Sequence, residues 1–205
     1  MASVSKRFLP FIWLLLTVAA IGAGVGVNQW LGARAPASRD YHAYEPPLPL
    51  PEFMLTDHAG QLFDRSRFAG RWSFVFFGYT HCPDVCPAAM TLFQQLQRKL
   101  GPDAPVQYVL VSVDPERDTP AHLGAYVRHF SPAFVGATGP HAEIARLTGP
   151  LGVHYARGPE RDGLYEVEHS SAIFLVGPDA RLRAVFTAPQ DVAKMAAGFA
   201  RLKGA

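Results

Sequence analysis

Two runs of this chain are too apolar to lie anywhere but the middle of a sheet. Trp72-Ser-Phe-Val-Phe-Phe-Gly78 and Val106 to Val113 (VQYVLVSV) are continuous β-branched and aromatic stretches, not alternating ones, which is the pattern of strands covered on both faces. A helical pattern follows each. After the first, Met90, Leu92, Phe93, Leu96 and Leu100 recur at helical spacing until Gly101-Pro102 stops them. After the second, Thr119 is set to cap a helix running to Phe130, with Pro120 at its first position. This alternation implies an α/β core.

The remaining segments extend that core. Glu52 to Phe63 reads as an N-terminal β-hairpin turning at Asp57-His58-Ala59-Gly60. A short strand near Phe134-Val135 and a helix from about His141 to Thr148 come next. Val153 to Glu168 reads as an inserted hairpin with its tip between Gly158 and Gly163. Strands over Ala172–Val176 and Leu182–Phe186 are joined by Gly177-Pro178-Asp179-Ala180, and a closing helix spans about Pro189 to Leu202. The expected fold is a thioredoxin-like central sheet flanked by helices. An apolar fraction of 49% and a charged fraction of 18% over 205 residues exclude disorder and a multispanning membrane protein, and favour one domain with an appendage.

The appendage is N-terminal. No charged side chain occurs from Phe8 to Ala33, and the 20-residue run Phe8 to Val27 matches the ~30 Å hydrocarbon core of a bilayer at ~1.5 Å per residue. The reading is a cytoplasmic segment at 1–7, a transmembrane anchor at 8–30, a tether at 31–51 and the folded domain at 52–205. Lys6 and Arg7 keep the N-terminus in the cytoplasm, and Trp30 sits at the far interface. A cleaved signal peptide is the alternative, with Ala33-Arg34-Ala35 as the peptidase site. Against it, Pro36 would follow the scissile bond and the apolar run exceeds a signal core. Pro36, Pro46, Pro47, Pro49 and Pro51 make 34–51 a semi-rigid polyproline spacer. The excess of Arg over Lys, 15 to 4, and the short N-terminal segment lean towards a bacterial inner membrane with the domain in the periplasm.

The net charge of +2 conceals an asymmetry. Residues 1–39 hold Lys6, Arg7, Arg34 and Arg39 with no acid, leaving 15 basic against 17 acidic residues in the rest. No basic stripe remains for nucleic acid.

Two cysteines cannot staple a fold of this size, so their role is local. Cys82 and Cys86 lie where the first central strand gives way to a helix. At the start of a helix that spacing would put both sulfurs on one face, and the helix N-terminus would lower the thiol pKa. Three readings stand: a structural disulfide, a dithiol redox site with C-x-x-x-C in place of the usual C-x-x-C, and a metal site needing further ligands.

Eight histidines are available. His42 lies in the tether, His58 in a turn, and His122, His129 and His141 on or beside helices, all read as surface residues; His81 adjoins Cys82, and chain neighbours rarely point to one centre. His169 differs. It precedes the strand Ala172–Val176, in the loop that approaches the active-site helix in a thioredoxin-like fold, and Val167 to Ser171 lacks the proline usual there. Two thiolates and an imidazole suit copper, although zinc accepts the same donors.

Three stretches carry a family resemblance. Phe77-Gly-Tyr-Thr-His-Cys-Pro-Asp-Val-Cys-Pro87, Val111-Ser-Val-Asp-Pro-Glu-Arg-Asp-Thr-Pro120 and Tyr165-Glu-Val-Glu-His-Ser170 resemble, in that order, the Sco/SenC family of membrane-anchored copper proteins. Glu168 stands where that family commonly has Asp, and Phe174 where Tyr is common. The resemblance implies copper, Cu(I) or Cu(II), held by Cys82, Cys86 and His169. It further implies delivery to the Cu-A centre of cytochrome c oxidase subunit II, with an upstream copper donor and no catalytic residue. Asp114 is either a contact to the copper site or recipient, or a cap of the Asp114-Pro115 turn. The alternative functions are a thiol–disulfide reductase keeping the recipient's cysteines reduced, and a peroxide-responsive thiol protein; both would use Cys82 and Cys86 as a redox pair.

Overall fold

The computed structural model describes residues 17, 22–24, 41–101 and 103–204. Ten strands and four α-helices are present among them. In chain order they are β1 (His42–Pro49), β2 (Met54–Asp57), β3 (Leu62–Asp64), β4 (Trp72–Gly78), α1 (Val85–Leu100), β5 (Val106–Ser112), α2 (Pro120–Phe130), β6 (Val135–Thr138), α3 (His141–Thr148), β7 (Tyr155–Arg157), β8 (Val167–His169), β9 (Ile173–Val176), β10 (Arg181–Phe186) and α4 (Val192–Lys203). Eight strands form one mixed sheet in the order β1-β10-β9-β4-β5-β6-β2-β3, while β7 and β8 pair separately.

The two apolar runs occupy the centre as their composition requires. β4 and β5 pair in parallel along their whole length, from Trp72 opposite Val106 to Gly78 opposite Ser112. All seven residues of β4 are buried. Its side chains alternate between two cores. Phe74 meets Phe93 of α1 and Phe199 of α4, with ring centroids 6.4 Å and 5.8 Å away. Val75 and Phe77 face the opposite layer, with Phe68, Leu147 of α3 and Phe174. Helix α2 sits beside α1, where Gln94 Nε2 donates to the Phe130 carbonyl at 2.7 Å. Each large side chain withdrawn from water here contributes about 1.5–3 kcal/mol.

The helix boundaries follow local chemistry. Thr119 caps α2, its side chain accepting from the His122 amide, and Asp191 caps α4 by accepting from the Lys194 amide. The turn after β9 carries Ala180 at φ 55, a left-handed conformation that costs a non-glycine residue energy.

One expectation is corrected. The tether read at 31–51 is not all spacer, because His42–Pro49 is a strand of the sheet, and the ordered fold begins there instead of near Glu52. Among the described residues the strand is an edge, pairing only with β10, and its register breaks between Ala43 and Leu48. Pro46 and Pro47 fall inside that break. A proline that cannot donate to a ladder is tolerated at an edge and at a bulge. The anchor read at 8–30 lies outside the described residues except at 17 and 22–24. Among the described residues no helix is long and apolar enough to cross a membrane.

Candidate metal centre

The cysteines are placed by the exit from β4. The strand ends at Gly78, α1 begins at Val85, and Cys82 therefore lies in the intervening loop while Cys86 falls in the first helical turn. A shared helical face is thus not what unites them. The loop folds back so that the Cys86 amide donates to Cys82 Sγ at 3.4 Å, and the two sulfurs are not bonded to each other. Cys86 is fully buried against the strand, where the Tyr79 amide donates to its Sγ at 3.4 Å. Gly78 permits this approach, since a Cβ there would stand 2.6 Å from Cys86 Sγ and 2.8 Å from Phe76 Cε1.

Burial sets the thiol chemistry of Cys86 against the expectation from the helix terminus. Desolvation pushes this thiol well above its ordinary value, and the Tyr79 amide only partly opposes it. Burial thus favours the protonated thiol of Cys86 over its thiolate.

A buried carboxylate holds the loop in shape. Asp118 is fully buried at the approach to α2, and its Oδ2 accepts from the Thr80 amide at 2.9 Å and from Ser112 Oγ at 2.6 Å. Its Oδ1 accepts from Thr80 Oγ1 at 2.5 Å. The cysteine loop is thereby tied to the ends of β5 and α2.

His169 arrives from another direction. It is the last residue of β8, paired with Tyr155 of β7, and so belongs to the hairpin rather than to a free loop. Its Nδ1 lies 3.1 Å from the Ser170 carbonyl, which fixes the ring proton there and leaves Nε2 a bare acceptor. Nε2 lies 3.3 Å from Cys86 Sγ. Phe76 and Tyr79 meet the imidazole edge to face, each at 5.7 Å. Burial lowers the His169 pKa, which favours the neutral, ligating form. One ligand atom from each of Cys82, Cys86 and His169 lies within 4.8 Å of the other two.

A latch missed by the sequence reading holds the hairpin to the body. Asp114 does not meet the sulfurs. Its Oδ1 accepts from Tyr165 Oη at 2.7 Å, its Oδ2 accepts from Arg117 Nε at 2.5 Å, and its carbonyl accepts from the Arg117 and Asp118 amides. Arg117 Nη1 also donates to the Tyr165 carbonyl at 2.9 Å. The guanidinium groups of Arg117 and Arg157 lie 3.6 Å and 3.7 Å from the Tyr165 ring centroid, a closeness that only opposite faces can accommodate. Asp114 therefore both closes its turn and pins the strand leading to His169. Arg117 and Tyr165 lay within the motifs already noted, but only their contacts reveal the role.

An open groove of about 430 Å³ lies over the centre, lined by Cys82 and His169 but not Cys86, with Asp84, Glu166 and Glu168 around it. Two ligands are accessible from solvent and the third is sealed beneath them. Of the other histidines, His58 accepts from the Gly136 amide at 3.1 Å and serves the sheet. His81 and His122 are both exposed, as the surface reading of His122 expects, and meet each other beside the buried Asp118.

Known proteins share this fold. The family model described as SCO1/SenC matches residues 43–204. The mitochondrial SCO2 homolog of Bos taurus is 38% identical over 175 residues, which cover 80% of this chain and 65% of that one, so the match spans just under two thirds of the relative's length. Among solved structures, Arabidopsis thaliana ScoI with copper bound is 30% identical with a TM-score of 0.72, over 76% of this chain and 98% of that one. Bradyrhizobium japonicum ScoI with copper bound is 36% identical with a TM-score of 0.68, again over 76% and 98%. The chain belongs to the SCO1/SenC family.

Proposed function

We propose that this protein is a copper chaperone that carries copper on Cys82, Cys86 and His169 and delivers it to the Cu-A centre of cytochrome c oxidase subunit II. The observation that carries the reading is the convergence of two sulfurs and an imidazole Nε2 already freed of its proton. Such a donor set is soft enough for Cu(I), and the copper-bound relatives support copper over zinc.

Ligand exchange follows from the unequal exposure of the three groups. Binding releases the thiol protons, and the charge of the ion offsets the desolvation that otherwise keeps Cys86 protonated. A recipient thiolate entering the groove meets Cys82 and His169 first. Cys86 is the last ligand to let go. A three-ligand site leaves the metal a coordination position for the incoming group, so transfer proceeds through shared-ligand intermediates.

The apolar run at 8–30 is the membrane anchor in this proposal, with 1–7 cytoplasmic, 31–41 the remaining tether and the copper domain in the periplasm of a bacterial inner membrane. An upstream donor loads the site. The reductase alternative is weaker because burial holds Cys86 as a thiol and because that chemistry has no need of His169.

Copper stoichiometry and visible absorption of the purified full chain test the reading. Wild type binds one copper at this centre, and His169→Ala weakens binding at least ten-fold. If His169→Ala held copper as tightly as wild type, the three-ligand site would be wrong and the thiol-only reductase would take its place.

A further inference from the structure

A second group of metal-ligating side chains lies beside the first and shares no residue with it. One ligand atom from each of His81, Asp118 and His122 lies within 4.8 Å of the other two. The rings of His81 and His122 meet edge to face with centroids 5.2 Å apart. Asp118 Oδ1 faces His81 Nδ1 at 3.7 Å. The two imidazoles are exposed, whereas the carboxylate is fully buried and held by Thr80 and Ser112. One rigid carboxylate thus meets two exposed rings, each steadied at Nδ1, His81 by Thr80 Oγ1 at 3.2 Å and His122 by the Arg117 carbonyl at 3.3 Å.

His122 carries the same preparation as His169. Its Nδ1 lies 3.3 Å from the Arg117 carbonyl, so the ring proton is held there and Nε2 is left as a bare donor. The ring projects from the first turn of α2, whose amide of residue 122 is fixed by the Thr119 cap. The positive end of that helix opposes a cation, and the charge of Asp118 directly before the cap offsets it. Metal–ligand bonds of ~2.0–2.1 Å require donor separations of about 3.4 Å, which small rotations of two exposed rings supply.

We propose that His81, His122 and Asp118 form a second site that takes a divalent transition-metal ion, Cu(II) in preference to Zn(II). Two imidazoles and a carboxylate are too hard a set to compete with two thiolates for Cu(I), and among divalent ions the Irving–Williams order puts Cu(II) first. Because Cys82 follows His81 in the chain, a hard-ligand and a soft-ligand site draw on adjacent residues of one loop. The inference uses none of the three residues of the copper-delivery reading and stands independently of it.

The test uses the full chain in detergent with Cys82→Ser and Cys86→Ser, which removes the thiolates, titrated with Cu(II) alone and followed by electron paramagnetic resonance. One Cu(II) binds, with hyperfine coupling from two nitrogens and no sulfur charge-transfer absorption. Adding His122→Ala or His81→Ala each weakens that binding at least ten-fold while the far-ultraviolet circular dichroism stays unchanged. A loss below ten-fold in either folded variant, or coupling to fewer than two nitrogens in the parent, overturns the site. Displacement of the bound Cu(II) by equimolar Zn(II) would overturn the metal preference.

Discussion

The two halves of the metal centre are held by different physics. Cys86 is positioned by packing: it lies fully buried against Gly78 at the end of a central strand, with the Phe76 ring crowding the same spot, so that displacing it would disturb the core there. His169 is positioned by polar contacts, at the end of a two-stranded hairpin outside the main sheet, through Asp114, Arg117 and Tyr165. A ligand fixed by packing cannot be moved without unfolding the surroundings. A ligand fixed by a latch can be moved while the fold survives, so copper affinity and global stability should come apart on the hairpin side and stay together on the strand side.

The largest effect is expected on the strand side. Gly78→Val places a branched side chain where even a Cβ would be 2.6 Å from Cys86 Sγ, and the other close neighbour is an aromatic ring with no room to retreat. Overpacking of this kind costs about 1–3 kcal/mol, with the upper end expected here because the strand is central. Chemical denaturation should show that loss, and copper titration should show binding falling with it. Retained affinity in a destabilised variant would break the idea that packing couples the two.

Arg117→Met is the corresponding change on the latch. It leaves the nearly fully buried Asp114 without its cation partner and frees the Tyr165 carbonyl. Stranding such a group costs about 1–3 kcal/mol, and the unbranched methionine side chain keeps the packing of the arginine stem though not of its guanidinium. Copper affinity should fall by more than the stability change explains. Equal losses would make the latch an ordinary part of the core.

The same contrast explains what was legible in the sequence. Buried strands advertise themselves by composition, so β4 and β5 could be read almost to the residue, as could the end of α1 at Leu100 and the capping of α2 by Thr119, whereas the start of α1 could not. The edge strand β1 was hidden because its prolines argue against a ladder, and only the break in register around Pro46 and Pro47 reconciles them with pairing. Cys82, Cys86 and His169 were recognisable by residue type and motif. The latch and the pairing of His81 with His122 were not, since both depend on contacts across 48 residues or more, or 41 along the chain, that no local pattern encodes. The direction of the Cys86 shift was misjudged for a related reason. A helix terminus is visible in sequence, whereas the desolvation that outweighs it is a property of packing.

Tyr165→Phe sharpens the latch further by deleting one hydroxyl. The ring stays between Arg117 and Arg157, and what is lost is the bond from Oη to Asp114 at 2.7 Å together with its longer, exposed contact to Glu116 Oε2 at 3.3 Å. A hydrogen bond to a charged partner contributes about 1.5–3 kcal/mol when dry, and this partly accessible one should give about 1 kcal/mol. The informative measurement is the ratio of losses, with copper affinity again expected to fall more than stability.

The smallest expected effect is a drift of metal-free stability with pH, and it probes the hairpin side alone. Burial lowers the His169 pKa in the folded chain relative to the ordinary imidazole value of about 6.5. Below that value the unfolded chain takes up the proton first, so this group's contribution is fully present above about pH 6.5 and is lost as the pH falls. The slope cannot exceed about 1.4 kcal/mol per pH unit, the limit for one proton. Denaturation midpoints measured between pH 7.5 and 5 should therefore decline for wild type and decline less for His169→Gln, which cannot titrate. Parallel declines in the two proteins would mean that the hairpin opens to admit the proton without cost, and the latch would then be too loose to hold His169 for copper.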